Sequence, residues 1–411
     1  MRILYLTDEF PPHSYGGSGT IAKYIAQGVA ARGHQVFVVS TAKHIHEERE
    51  EPFGDGKIFW LPQYNSEYLF RLGLRNPKSL EALEHILKKV QPDVVHAHNM
   101  HWHLSYAALA LARQYTPRVF LTAHDLTYVA YAKVFPKGKR CTSAEEAAKQ
   151  CKASLVRDLR AAKIQYLPWR NHVIHGYLSN VRLIFCVSDF LKKALEANGI
   201  KRYVLLHNGI AFEKFSSASG DIREFCKSKG IDSPHVVFFG GRLGSAKGLL
   251  ALLDALVIVR KKFPDVLLLV AAREGERKEV EREAMRRGIS ASIRYTGWLD
   301  AQTLPLAYAA SAMVATPSIY FDPFPTVNLE AMAARRPVVG TCFGGTHEAV
   351  EDGVTGFVVN PHDIASFADK ISRLLYDQNL NRAMGEAGYE RLQKEFSLER
   401  QVQKILDAYI L

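Results

Sequence analysis

Two doubly wound, Rossmann-like α/β domains facing across a cleft are the architecture this sequence predicts. Three observations carry it. Apolar runs of strand length recur along the chain, segments of helical spacing separate them, and the whole pattern restarts half-way, at Val236. Buried all-apolar strands joined by helices imply parallel sheets covered on both faces. A chain of 411 residues suits two domains of about 200 residues each.

The first run is Ile3 to Leu6. A loop rich in Pro and Gly follows, from Glu9 to Gly19, and Thr20 to Arg32 then has helical spacing, with Ile21, Tyr24, Ile25, Gly28 and Val29 on one face. Val36 to Val39 is the next strand, and Val94–Ala97, Val119–Thr122, Leu183–Val187 and Val204–Leu206 continue the series. In the second half Val236–Gly240, Val266–Val270, Ile293–Tyr295, Met313–Ala315 and Pro337–Val339 repeat it. The polar stretch Phe215 to Asp221 places a hinge within about 208–234.

With 47% apolar and 23% charged residues, disorder and fibrous states are excluded. The most apolar helical run, Leu249 to Val259, is too short to span a bilayer and carries Asp254. The opening apolar run is too short for a signal-peptide core, and five scattered cysteines fit a reduced, cytoplasmic chain; a disulfide at Cys141 or Cys151 is not expected. The net charge of +11 has one source. Residues 101–205 hold 17 basic and 6 acidic groups, whereas the segments on either side are balanced. Such a local excess suggests an anionic partner.

Three constellations carry chemistry. Pro317 to Ala334 reads as a strand end, a proline-rich turn and a helix from about Thr326. Unpaired N–H groups at that helix start favour a phosphate, and Asp322 and Glu330 flank it as acceptors for sugar hydroxyls. The plainer alternative is a turn aspartate and an exposed glutamate. Gly240 to Gly248 follows a strand and brings Arg242 and Lys247 to one loop, as a diphosphate requires, although it lacks the Gly-Lys-Ser/Thr ending of a Walker loop. The plainer alternative is an ordinary turn with two solvated cations. His124 lies just past a strand's carboxyl end, where ligands of α/β folds collect, or merely bonds a neighbouring backbone group. His96, His98, His101 and His103 cluster like metal ligands but match no zinc pattern, so no metal site is expected. Leu155 to Leu178 mixes Arg157, Arg160, Lys163 and Arg170 with Ile164, Trp169 and Tyr177, as a surface resting on a membrane or as a core face with a solvated basic back.

Taken in order, these motifs resemble the retaining glycosyltransferases of family 4, which have the GT-B fold. The likeness spans nearly the whole chain: Leu6–Pro12 with Gly16-Gly17, Pro92–His98, Thr122–Asp125, Val187-Ser188, His207–Ile210, Gly241-Arg242 with Lys247-Gly248, the 322–330 motif, and Gly344–Glu348 with Gly353–Phe357. It implies an acceptor-side domain over 1–212, a nucleotide-sugar-binding domain over 213–397, and a final helix, 398–411, crossing back to the first. It further implies a UDP- or GDP-sugar donor, a hydroxyl acceptor and neither cofactor nor metal, because Arg242 and Lys247 match the pair that neutralises the diphosphate. Glu330 matches the carboxylate that binds ribose. Asp322 stands where a longer glutamate is usual, and Phe324, Pro325 and Thr326 match the turn beside sugar and phosphates. His124 matches the histidine near the reacting carbon, and Gly16 and Gly17 match the loop approaching the diphosphate. Where a Gly-x-Gly turn is usual, this chain has Ala271-Ala272-Arg273, which brings Arg273 toward the nucleotide. Hexosyl transfer is the expected activity, with a GT-B epimerase or phosphorylase as the alternative. Nucleic acid is not an expected partner, because the basic segment contains no nucleic-acid module. For the basic segment 133–193 two readings stay open: contact with an anionic membrane, which would make the enzyme peripheral, or a solvated face that only aids solubility.

Overall fold

The computed structural model describes residues 1–14, 16–63, 68–216, 221–241, 245–271 and 273–410. They form two compact units. One comprises Met1–Val134, Ala148–Gly209 and Leu398–Leu411, and the other Phe135–Ala147 with Ile210–Ser397.

The first unit holds eight described strands: β1 (Arg2–Leu6), β2 (Gln35–Ala42), β3 (Arg49–Phe53), β4 (Gly56–Pro62), β5 (Val94–Ala97), β6 (Val119–Ala123), β7 (Leu183–Cys186) and β8 (Tyr203–Leu205). Their order in the sheet is β3-β4-β2-β1-β5-β6-β7-β8, and every pairing is parallel except β3 with β4. The chain builds outward from β1 through β2 and β4, then returns to add β5 on the other side. The order therefore reverses at the carboxyl ends of β1 and β5, where open α/β sheets form their crevice. The sequence reading lacks β3 and β4. Strand β3 is a charged edge strand, Arg49-Glu50-Glu51-Pro52-Phe53, and its proline and acids suit an edge rather than a core.

The helix expected from Thr20 to Arg32 runs instead over Gly17–Ala30. Its glycine-rich start is helical because Gly19 has no side chain. A Cβ there would stand 2.5 Å from the Glu9 carbonyl oxygen. Gly28, on the same helix, admits Val402 of the final helix Leu398–Ile410, which packs along it. Tyr409 of that helix reaches His96 Nδ1 at 2.6 Å beneath the sheet's switch point.

The second unit holds β9 (Val236–Gly240), β10 (Leu267–Ala271), β11 (Ile293–Tyr295), β12 (Met313–Thr316), β13 (Val338–Thr341) and β14 (Gly356–Val359), in the order β11-β10-β9-β12-β13-β14, all parallel. Its core buries Val237, Phe239, Leu252, Leu256, Leu268, Val270 and Phe367. Here the order reverses between β9 and β12. The polar stretch read as a hinge lies in this unit, with 217–220 outside the described residues.

The expectation of unpaired cysteines is overturned. Cys141 and Cys342 form a disulfide across 201 residues of sequence, leaving Cys151, Cys186 and Cys226 free. Chain spacing does not reveal this pair, because residues 135–147 leave the first sheet's connection and pack in the second unit. The Phe135 ring lies 6.4 Å from that of Tyr320, and Asn360 Nδ2 donates to the Lys139 carbonyl. Among the described residues no helix is long and apolar enough to cross a membrane.

Candidate functional site

The second unit gathers its polar groups at the carboxyl ends of β9 and β12. Gly248 ends the loop after β9 in the left-handed region, φ 79°, where a Cβ would stand 1.8 Å from the Pro317 carbonyl oxygen. That close approach seats the 245–248 turn directly on the segment after β12. Lys247 Nζ consequently donates to Asp322 Oδ2 at 2.6 Å and lies 5.4 Å over the Tyr320 ring. Asp322 is buried, and its carbonyl accepts the Gly345 N–H at 2.9 Å, which ties it to the Gly344-Gly345 loop after β13.

The helix Thr326–Ala333 starts immediately beyond. No side chain caps its first turn, where the Asn328 N–H donates to the Pro325 carbonyl at 3.2 Å, and its positive end suits an anion. Glu330 lies one turn in. Tyr308 Oη donates to Glu330 Oε2 at 2.6 Å. Burial raises the Glu330 carboxyl above its ordinary value, against hydrogen bonds from Tyr308 and Thr326. The Phe324 ring is buried 5.8 Å from that of Phe396. Pro325 is the residue before the helix. Arg242 lies outside the described residues. Arg273 precedes the helix Glu274–Arg286, with its guanidinium 4.9 Å from the centre of the Trp298 ring.

The first unit gathers a histidine network at its own switch point. Asp8, just past β1, accepts the N–H groups of Trp102, His103 and Leu104 at 2.8, 3.1 and 2.8 Å and so pins the loop after β5. His98 Nδ1 lies 2.9 Å from His124 Nε2, while His98 Nε2 is buried with no hydrogen-bond partner among the described residues. Asp125 receives Asn99 Nδ2 at 3.1 Å and the Thr127 N–H at 2.8 Å, with His101 Nε2 at 3.3 Å. Burial pushes the His124 imidazole down to about 4; Asp125 opposes the shift and His101 adds to it. His124 is therefore neutral at physiological pH, fit to donate or accept a hydrogen bond but not to carry charge. Among the described residues no group of three or more His, Cys, Asp or Glu side chains is arranged to hold a metal ion. His96 is instead absorbed by Tyr409 and by Thr122 Oγ1, at 2.8 Å from Nε2, and His101 by Tyr106 at 2.7 Å. Gly16 and Gly17 form the amino end of the helix Gly17–Ala30, with no side-chain cap.

Two groups escape a reading of the sequence. Tyr308 lies 22 residues from Glu330, and no spacing marks it as a partner. Asp8 sits in the quoted opening motif, but its three backbone donors become visible only once β1 and β5 are adjacent.

Two open, largely parallel sheets, each with its polar groups at the switch point, are the architecture of the GT-B fold. Sucrose-phosphate synthase from Thermosynechococcus elongatus superposes with a TM-score of 0.79 at 21% identity, over 99% of this chain and 98% of that one. Anabaena HepE in complex with UDP-glucose superposes with a TM-score of 0.70 at 19% identity, over 99% and 100%. In sequence, the glycogen synthase of Mycobacterium tuberculosis (strain CDC 1551 / Oshkosh) is 26% identical over 96% of this chain and 91% of its own. The family model for glycosyl transferases group 1 matches residues 221–391, and that for glycosyltransferase family 4 matches residues 15–214. The chain belongs to this glycosyltransferase family, and its activity is sugar transfer.

Proposed function

We propose that the chain is a metal-independent, retaining hexosyltransferase. It takes the sugar from a UDP- or GDP-hexose to a hydroxyl of a glycan, lipid-linked or small-molecule acceptor. The second unit is the donor-binding one and the first serves the acceptor. The observation that carries this is the placing of Lys247 and Asp322 beside the uncapped start of the 326–333 helix, with Glu330 one turn further on. A cation and the positive end of a helix fit a diphosphate, and two carboxylates fit ribose and sugar hydroxyls. That HepE is solved with UDP-glucose supports a uridine nucleotide as the first donor to try.

In the reaction the bond from the anomeric carbon to the diphosphate oxygen breaks. The acceptor oxygen bonds to that carbon from the same face, and its proton passes to the leaving oxygen. Lys247 and the helix start stabilise the charge that develops on the diphosphate, together with Arg242 through the motif it matches. Asp322, at one methylene less than glutamate, orients the sugar, and His124 keeps the role that its motif implies.

A screen of nucleotide sugars by thermal shift, followed by transfer assays with and without acceptor, tests this. A donor that stabilises the chain and yields product only with an acceptor alcohol is expected. Turnover of the donor without any acceptor would favour an epimerase, and dependence on inorganic phosphate a phosphorylase.

We also propose that the first unit rests on an anionic membrane. Five large apolar side chains on and beside the helices Leu155–Ala162 and Arg170–Leu178 face solvent: Leu155, Val156, Leu159, Ile164 and Trp169. Exposed Arg160 and Lys163 stand among them. Apolar side chains flanked by cations suit a headgroup region.

A further inference from the structure

The second unit has a cavity of about 520 Å³ at the amino ends of β9, β12 and β13, the opposite end of the sheet from Lys247 and Asp322. Its wall includes His235, Arg335, Arg336, Gln378, Arg382 and Glu386. Three arginines line it, and they are compensated unequally. Arg335 pairs with Glu386 and stacks 3.8 Å over the Tyr389 ring. His235 is engaged by Asp265 at 2.9 Å. Arg336 and Arg382 have no carboxylate partner among the described residues.

Arg336 is the informative one. Its Nη2 donates to the Ala309 carbonyl at 3.1 Å, whereas its Nε is buried without a hydrogen-bond partner among the described residues. Burial lowers its affinity for a proton. Arg335 and Arg336 lie past the carboxyl end of the 326–333 helix, where a cation complements the dipole, yet that role is met by an exposed side chain and does not require a desolvated one. A partly desolvated, uncompensated guanidinium costs free energy that an anion in the cavity would offset. Gln378, the first residue of the 18-residue helix Gln378–Glu395, adds that helix's positive end, although Asp377 already caps the Leu380 N–H at 2.9 Å.

We propose that this cavity binds a small phosphomonoester, of sugar-phosphate size, at a site separate from the donor turn. Guanidinium groups without a carboxylate partner match a phosphate dianion better than a carboxylate, and the volume falls within the usual range for a small-molecule pocket. Neither the donor nor the acceptor of the transfer reaction is assigned to it.

Calorimetric titration of the full chain with inorganic phosphate and with ribose 5-phosphate tests the site. Because the donor turn also takes phosphate, the titration is repeated in Lys247→Ala. The expected result is that ribose 5-phosphate binds wild type and Lys247→Ala with the same Kd within twofold, and that Arg336→Met and Arg382→Ser each weaken it at least tenfold. Arg382 is exposed, so Arg382→Ser keeps the test sound if Arg336→Met fails to fold. Amide exchange should slow at 334–336 and 378–382 when the phosphomonoester is present. Absence of binding in Lys247→Ala, or unchanged affinity in Arg382→Ser, overturns the proposal.

Discussion

Lys247 Nζ and Asp322 Oδ2, 75 residues apart in sequence, share a 2.6 Å hydrogen-bonded ion pair at the switch point of the second sheet. The lysine is about a quarter exposed and the aspartate almost fully buried. The pair holds the cation at the carboxyl ends of β9 and β12 before any anion arrives.

Removing the cation should therefore cost rate. Lys247→Ala is expected to lower kcat by about 10²–10³-fold, ~3–4 kcal/mol, because it withdraws a preorganised charge from the leaving diphosphate. Asp322→Asn should behave differently. The nucleoside diphosphate product should bind at least as tightly as in wild type, since the lysine loses a competing anion, while the intact sugar nucleotide binds more weakly. Equal losses for both ligands in Asp322→Asn would show that this carboxylate does not hold the sugar.

Glu330→Gln should weaken product and donor alike, by about tenfold or ~1.4 kcal/mol, because ribose is common to both. The same change should stabilise the unliganded chain at neutral pH. Burial raises the Glu330 carboxyl, so the native state holds its proton at a pH where the unfolded chain has lost it. That contribution is complete below the unfolded value and disappears as pH rises through the raised native one. Thermal unfolding of the two proteins from pH 4 to 8 checks both the sign and the window.

How much of this is legible in the chain depends on the range of the interaction. Strands β9 to β13 follow from apolar runs, whereas the short β14 is not read, and Lys247, Asp322 and Glu330 follow from the loop and helix starts after such runs, because each signal is local. The partners are not local. Tyr308 reaches Glu330, and His98 reaches His124 across 26 residues, only through strand order and register. Strand β3 is missed because edge strands carry charge and proline. The Cys141–Cys342 bond is missed because residues 135–147 pack away from the sheet whose strands they connect.

The disulfide makes a simple chemical prediction. Unfolded but unreduced protein should show three reactive thiols, and reduced protein five. Cys141→Ser should lower stability by about 2–4 kcal/mol, with a lower Tm. It should also weaken donor binding, since Cys342 precedes the Gly344-Gly345 loop that holds Asp322. Five thiols without reductant would dispose of the bond.

Acid should loosen the first unit through its histidines. Burial drives His96 down to about 3 and His98 well below the ordinary value. The unfolded chain then binds protons that the native chain refuses, so stability is full above about pH 6.5 and falls as pH drops below it. His96→Gln, which retains a donor and an acceptor but does not titrate, should flatten that slope between pH 7 and 5. An unchanged slope would place the acid sensitivity elsewhere.

The exposed apolar face offers a test of location. Ile164 is 97% exposed, Leu155 61% and Trp169 58%, values that a solvated basic helix face does not explain. If these side chains enter a headgroup layer, cations near the surface add about 1 kcal/mol each at low salt. Co-sedimentation with phosphatidylglycerol vesicles should then show binding that falls with salt. Leu155→Ser with Ile164→Ser should weaken it at every salt concentration, because the lost contribution is apolar and unscreened. Lys137→Glu, Lys139→Glu and Arg140→Glu together separate the two halves of the basic segment, since these residues belong to the second unit. A loss confined to the 155–164 changes assigns the membrane to the first unit alone, and no binding at low ionic strength leaves an enzyme whose acceptor is taken from solution.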